Sequence, residues 1–420
     1  METKQKSNVL AIIVMILLFG MISFVTNLAS PMGDVLKNQF GVANWMGTLG
    51  VFANFIAYAI MGIPAGNMLQ NLGYKKTALI AVAVGFIGVG VQTISGFAGS
   101  FGIYLLGAFI AGFSMCMLNI VVNPMLNKLA GGGNKGNQLI QVGGSFNSLM
   151  GTAVIVLTGI LIPNIVEAQI TQVFPLMYTA LAIFAVAFIV VLFTDIPENA
   201  PQKVVKGEKS KYGPLSFRHF VLGAIAIFVY VGVEVGIPNV LQKWLNEVYG
   251  TGIAGTVAGT YWFLMLVGRL AGAALGAKVS AKAMLAVVST VGICLTLGAI
   301  FMNPENMVSL PVFDGANGFG IADVPVNAAL LVLCGLCTSV MWGGIFNIAV
   351  EGLGKYTEKA SGIFMALVCG GGILPLLQNG IVDWTGSYLT SYWVIVSGLA
   401  FMLYYAVIGS KNVNKDIPVE

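Results

Sequence analysis

The stretch Phe220–Val240, FVLGAIAIFVYVGVEVGIPNV, decides the fold. About 20 predominantly apolar residues suffice to cross a bilayer core of about 30 Å as a helix, and this run has that length. It also carries one acid, Glu234. A second run, Val257–Ala277, carries one base, Arg269. A charge at the centre of hydrocarbon costs at least about 2.5–3.5 kcal/mol on insertion scales, so such residues face a protein interior or a wet cavity rather than lipid. A chain that keeps both is expected to move something polar through its middle.

The rest of the chain agrees. Of its 420 residues, 57% are hydrophobic and 9% are charged, against about 25% charged in soluble domains. Spans are expected near 9–30, 44–69, 77–97, 101–127, 137–162, 173–194, 219–241, 252–277, 283–302, 326–350, 360–382 and 389–409, twelve in all. Hydrocarbon leaves the backbone to satisfy its own polar groups, so these runs read as helices. The roughly 10-residue alternating strands of a barrel are absent from the pattern. Lys4 and Lys6 precede a first run too long for the core of a cleaved signal peptide, so it reads as a retained first helix.

Basic residues orient the chain. With the N-terminus in the cytoplasm, 17 of the 20 Lys and Arg fall inside. Lys37 and Lys243 fall outside, and Arg269 lies within a span. This is the asymmetry of the positive-inside rule. The net charge of +4 therefore reflects orientation and gives no reason to expect nucleic acid. The stretch Asp195–Arg218, with Pro197, Pro201 and Pro214 among lysines, reads as a cytoplasmic linker. It separates an N-terminal six-helix bundle (1–195) from a C-terminal one (219–420), with the linker proper at 196–218. The loop Asn303–Pro325 reads as a plain outer loop or, alternatively, a lid.

The five cysteines (Cys116, Cys294, Cys334, Cys337 and Cys369) are dispersed in apolar runs and read as buried small side chains. Cys334 and Cys337 form a CxxC that no second pair or nearby His completes. The one histidine, His219, reads as interfacial.

Six spans, a basic central loop and six more resemble the major facilitator superfamily, whose two bundles meet at a midplane cavity and rock to give alternating access. The turn Gly66-Asn-Met-Leu-Gln-Asn-Leu-Gly73-Tyr74-Lys75-Lys76 is similar to the superfamily's signature loop, with Gln70 and Asn71 in place of its acidic and first basic members. More specific segments resemble the fucose–proton symporter family of sugar transporters. They are Ile63-Pro64-Ala65-Gly66, Asn123-Pro124, Phe146-Asn147-Ser148, Tyr230 to Glu234, Gly268-Arg269, Met341 to Phe346, and Gly370 to Pro375 with Gly380 and Asp383. They follow the family's order along most of the chain.

The departures concern the proton relay. Proton-coupled members carry an aspartate three residues after an asparagine in helix 1; the pair here is Asn27 and Ser30. They carry a glutamate four residues before the Asn-Pro of helix 4; here it is Asn119. The family's Gln-x-Phe-Asn of helix 5 is Gly144-Ser145-Phe146-Asn147, with Gln141 about one turn earlier. Trp342-Gly343 replaces the aromatic-proline pair of helix 10. The resemblance implies a sugar porter and puts the usual relay in doubt.

Sugar hydroxyls need groups that both donate and accept, as Asn and Gln amides do. The candidate binding residues are Asn27, Asn119, Asn123, Gln141, Asn147, Asn347 and Gln378, with Trp342 as an aromatic face; Trp342, Asn119, Asn123 and Asn147 gain weight from their motif positions. Asn239, Tyr230, Tyr261 and Trp262 are secondary candidates. Amides in spans also join helices by hydrogen bonds, so lining and packing readings stay side by side. Glu234 with Arg269 is the coupling candidate. Glu234 reads as a proton-exchanging carboxylate, a structural partner of Arg269, or a ligand for Na⁺. Asp34, Glu351 and Asp383 read as span-end groups, Glu351 pairing with Lys355 at i,i+4.

The expectation is a secondary transporter importing a monosaccharide, coupled to H⁺ or Na⁺ or working as a uniporter, without cofactor or resident metal. It is expected as a monomer in a bacterial inner membrane with both termini cytoplasmic. An exporter of drugs or metabolites is the alternative, disfavoured by a polar helix 5 with no proline before Pro163. An enzyme is disfavoured because no nucleophile–base set or metal cluster is visible. ATP is not expected to drive the chain directly, since it has no phosphate-binding Gly-rich motif.

Overall fold

The computed structural model describes residues 2–41, 49–161, 169–198, 212–249, 251–314, 318–414 and 416–419. The expected linker residues 199–211, and the side chains of Ser30, Asp34 and Lys37, lie outside the described residues. The first helix, α1, spans Glu2–Phe40. The helix Leu49–Ala98 is continuous in hydrogen bonding but turns sharply at Gly73, at φ 81 and ψ 178. Its arms, 49–72 and 74–98, are α2 and α3. They match the expected spans 44–69 and 77–97, but one left-handed glycine joins them where a longer loop was expected. Glycine reaches this φ without steric cost.

Then follow α4 (Phe101–Leu129), α5 (Gly133–Leu161), α6 (Ile170–Phe193), α7 (Arg218–Tyr249), α8 (Thr251–Leu275) and α9 (Ala281–Phe301). The last three are α10 (Val326–Val350), broken near Ser339–Val340, α11 (Gly354–Thr385) and α12 (Tyr388–Gly409). The arrangement is consistent with the twelve expected spans. Ser100 and Ser280 cap α4 and α9 by accepting from Ile103 N (3.4 Å) and Ala283 N (3.2 Å), which satisfies first-turn donors that no helix can pair internally. Thr93 and Thr296 return their hydroxyl hydrogens to the carbonyls of Val89 and Gly292, four residues back.

Between α9 and α10 the expected outer loop is a hairpin. Strands β1 (Met307–Asp314) and β2 (Gly318–Pro325) pair antiparallel, with Val312 opposite Gly320 and Val308 opposite Val324. Val312 and Val324 are buried, while Phe319 and Ile321 are exposed. The alternation was present in the sequence, but the Gly and Asn content of 303–325 obscured it. Phe319 meets Phe263 of α8 edge-on at 5.2 Å. Phe263 shares a helix face with the exposed Val267 and Leu270, so the hairpin leans on that outward face of α8.

The two halves touch mainly toward the lysine-rich side. A Cβ on Gly62 would stand 2.6 Å from Ala366 Cα, and one on Gly66 would stand 2.8 Å from Gly362 Cα. Backbone of α2 therefore lies directly on backbone of α11, as small residues permit between membrane helices. A 3-10 turn at Leu367–Cys369 precedes the glycine run that starts at Gly370.

Three local expectations change. Glu351 reaches Lys282 Nζ at 3.4 Å rather than Lys355, because the helix ends at Val350 and Gly352 turns left-handed at φ 73, which destroys the i,i+4 geometry. His219 is buried, with Nε2 3.0 Å from the Glu351 carbonyl. All five cysteines are free, and four are buried; Cys294 is exposed on α9.

Glu198, just past α6, caps the turn at Gly73. Its carboxylate accepts from the backbone N–H of Tyr74 (2.7 Å) and Lys75 (2.8 Å) at the start of α3, where a negative charge also suits the helix dipole. Glu198→Ala is expected to cost about 0.5–2 kcal/mol, the typical loss of an N-terminal cap, seen as a lower unfolding temperature of the purified protein.

Candidate functional site

Arg269 and Glu234 meet. Arg269 Nη2 lies 3.2 Å from Glu234 Oε1, with both side chains about one-tenth exposed. The guanidinium reaches further partners. Nε donates to Ser339 O of α10 at 3.2 Å, and Nη1 faces Gly144 O (3.1 Å), Asn147 Oδ1 (3.2 Å) and Ser148 Oγ (2.7 Å), all on α5. One side chain thus binds α7, α10 and, across the seam, α5. Breaking a buried pair by removing one partner typically costs about 3–5 kcal/mol, because a charge is left alone in low dielectric.

Above this node is a cavity of about 180 Å³ between the halves. That is below the roughly 300–1,000 Å³ of sites for drug-sized ligands and suits a small solute. Asn27, Asn119, Gln141, Asn147, Trp342, Glu234 and Arg269 all line it, so seven of the expected residues come together from α1, α4, α5, α7, α8 and α10. Among the described residues, Glu234 is the only carboxylate in the wall.

Each amide is also tethered. Asn27 Nδ2 donates to Ser23 O (2.8 Å) and Ser23 Oγ (3.0 Å). Asn119 Nδ2 donates to Tyr58 OH (2.9 Å) and Met115 O (3.1 Å). Asn147 Nδ2 donates to Phe19 O (2.7 Å). Such tethers fix which face of each amide remains for a ligand. Gln141 crosses the seam: Nε2 donates to Val340 O at 2.8 Å, leaving it more a bridge than a free wall group. Trp342 is half-buried, its ring edge-on to Tyr230 (6.3 Å) and Phe364 (6.4 Å).

The other three expected residues lie elsewhere. Asn123 is fully buried beneath Asn119 and accepts from Trp342 Nε1 at 3.1 Å, so it supports the aromatic wall from behind. Asn347 faces a second space of about 390 Å³ toward the lysine-rich side and accepts from Asn127 Nδ2 at 3.2 Å. Gln378 is fully buried in α11 against Gly236 of α7, remote from the cavity wall, with both amide atoms unpaired by protein. A buried amide in that position calls for water.

Several lining residues were not singled out: Phe55, Tyr58, Ser23, Thr26, Ser148 and Thr152. Hydroxyls in spans usually return to their own helix, as Thr152 does to Ser148 O, so composition alone gives no reason to choose them. Ser148 had a signal, one residue after Asn147 within a quoted motif. Trp262, a secondary candidate, lines the cavity, whereas Tyr261 is buried behind it and bonds Thr338 Oγ1 at 2.9 Å.

A sequence model described as Major Facilitator Superfamily matches residues 10–375. The chain is 29% identical over 422 residues to a protein of Brucella abortus named glucose/galactose transporter, covering 98% of this chain and 96% of that one. It is 22% identical over 423 residues to the L-fucose-proton symporter of Escherichia coli, covering 93% and 91%. A crystal structure of the transporter FucP in its outward conformation superposes with a TM-score of 0.81 at 20% identity, over 97% of this chain and all of that one.

Trp342→Phe preserves the ring contacts but strands Asn123 Oδ1 in a buried place. The expected loss is about 1–3 kcal/mol, measurable as a fall in unfolding temperature that Trp342→Phe combined with Asn123→Leu partly restores.

Proposed function

The chain belongs to the major facilitator superfamily, and on that basis we propose that it takes up a monosaccharide by alternating access of its seam cavity to the two sides of the membrane. The observation that carries this reading is the cavity itself. A small space at the junction of two six-helix halves is walled by tethered amides, one indole and one ion pair. Amides offer a donor and an acceptor to each hydroxyl, and Trp342 offers a face for the apolar side of a pyranose ring. The names of the relatives, glucose/galactose transporter and L-fucose-proton symporter, point to the same substrate class.

In this reading Asn27, Asn119 and Asn147 contact the sugar directly. Gln141 and Trp342 contact it while also joining the halves. Asn123, Asn347 and Gln378 support the site without touching substrate. Residues 1–195 and 219–420 move as the two bundles, joined by 196–218. The protein sits as a monomer in a bacterial inner membrane, lysine-rich side and both termini inward, as the bias of basic residues supports.

Glu234 is the coupling group. Neither Asn27's partner position, Ser30, nor Asn119 can exchange a proton, and among the described residues Glu234 is the one carboxylate in the cavity wall. H⁺ is the coupling ion favoured by the relatives named as proton symporters.

Uptake into proteoliposomes of labelled D-glucose, D-galactose and L-fucose, with imposed pH or Na⁺ gradients, tests this. Wild type is expected to accumulate at least one of them when the outside is acidic. Glu234→Gln is expected to keep exchange of labelled for unlabelled sugar while losing gradient-driven accumulation. Accumulation in Glu234→Gln equal to wild type removes the residue from coupling. Asn147→Ala is expected to raise KM about tenfold, the loss of one or two hydrogen bonds; an unchanged KM removes it from the sugar site.

A further inference from the structure

Arg269 is over-subscribed. A guanidinium offers five N–H groups, of which Nη1 carries two. Nη1 nevertheless faces three acceptors on α5: Gly144 O, Asn147 Oδ1 and Ser148 Oγ. At least one hydrogen is shared, so these acceptors are under-supplied. Two of them, Asn147 Oδ1 and Ser148 Oγ, belong to residues that line the cavity. The opposite side of the guanidinium is anchored within its own half by Ser339 O and Glu234 Oε1.

The bonds from Nη1 cross between the halves, and they head a series of cross-seam bonds toward the lysine-rich side. Gln141 Nε2 reaches Val340 O, Gln138 Nε2 reaches Ala273 O at 3.1 Å, and Asn127 Nδ2 reaches Asn347 Oδ1. α5 must leave α8 and α10 for that side to open. Arg269 is the only charged donor in the series, and hydrogen bonds involving a charge are the strong ones.

We propose that Arg269 is a substrate-released latch, a positioning residue that holds α5 against the C-terminal half until a sugar hydroxyl donates to Asn147 Oδ1 or Ser148 Oγ in its place. The ligand class that releases it is a polyol presenting a hydroxyl hydrogen to α5; a ligand with only acceptors at that position leaves the latch closed. Glu234 keeps the freed guanidinium within its own half, so release exposes no unpaired charge. The role of the sugar rests on the uptake reading above; the latch itself does not.

The test places spin labels at Lys135→Cys, in the first turn of α5, and Lys278→Cys, three residues beyond the end of α8, both exposed on the lysine-rich side, in the full chain with its five cysteines replaced. The distance distribution is read without sugar and with D-galactose, D-glucose or L-fucose. Two variants are compared with the parent. Ser148→Ala leaves both charges in place, and Arg269→Gln with Glu234→Gln removes both together. Without sugar, each is expected to raise the long-distance population relative to the parent, by about tenfold in open-to-closed ratio for the double variant. In the parent, an accepted sugar gives the same shift; in the variants it adds little. Sugar-free distributions identical to the parent in both variants overturn the latch. A parent unmoved by every sugar, with variants that do open, overturns the sugar's part in release while the latch stands. A merely structural role for Arg269 would lower the unfolding temperature and leave the distance populations of the folded protein unchanged.

Discussion

An arginine inside a membrane protein has no cheap neutral form, and everything near the centre of this molecule is arranged around that constraint. A guanidinium carries its charge and five N–H donors wherever it sits, so the surroundings of Arg269 must supply acceptors. Glu234 supplies charge, and the carbonyls of Gly144 and Ser339 and the side chains of Asn147 and Ser148 supply the rest. The result is a junction at which three helices of one half and one of the other share a single cation.

The amides around it have a double existence. Asn119 and Asn123 stack one turn apart on α4, the upper bonded to Tyr58 and lining the cavity, the lower bonded to Trp342 from the other half. Gln141 lines the cavity and grips Val340. Neutral amides suit both tasks, because breaking such a bond during movement strands no charge, and its net worth of about 0.5–1.5 kcal/mol is small enough to be exchanged for a bond to a ligand. A seam closed wholly by ion pairs would resist opening; one closed wholly by hydrocarbon would have no reason to respond to a sugar.

Much of this was legible in the residues. Length and apolarity of the runs gave the helices, because lipid admits few other solutions, and the isolated charges at 234 and 269 pointed to the centre. Motif order placed Asn119, Asn147 and Trp342 at one site. What stayed hidden depends on depth and direction, which spacing along a helix does not encode. Nothing about Gln378 as a residue type separates it from Asn147, yet one is sealed between α7 and α11 and the other opens into the cavity. Asn347 lies only five residues beyond Trp342, but that is more than one turn further toward the lysine-rich side. The hairpin at 307–325 was hidden by its glycines, and Glu198 by its distance in sequence from the turn it caps.

That hairpin has a practical consequence. Transporters of this size are nearly all hydrocarbon-clad, leaving imaging and selection methods little rigid mass to grasp beyond the bilayer. Here two paired eight-residue strands, seated on α8 through Phe319 and Phe263, lie at the end opposite the lysines. A peptide epitope or small folded domain grafted between Asp314 and Gly318 would give particle alignment and antibody selection a fixed landmark, on a limb that takes no part in the seam.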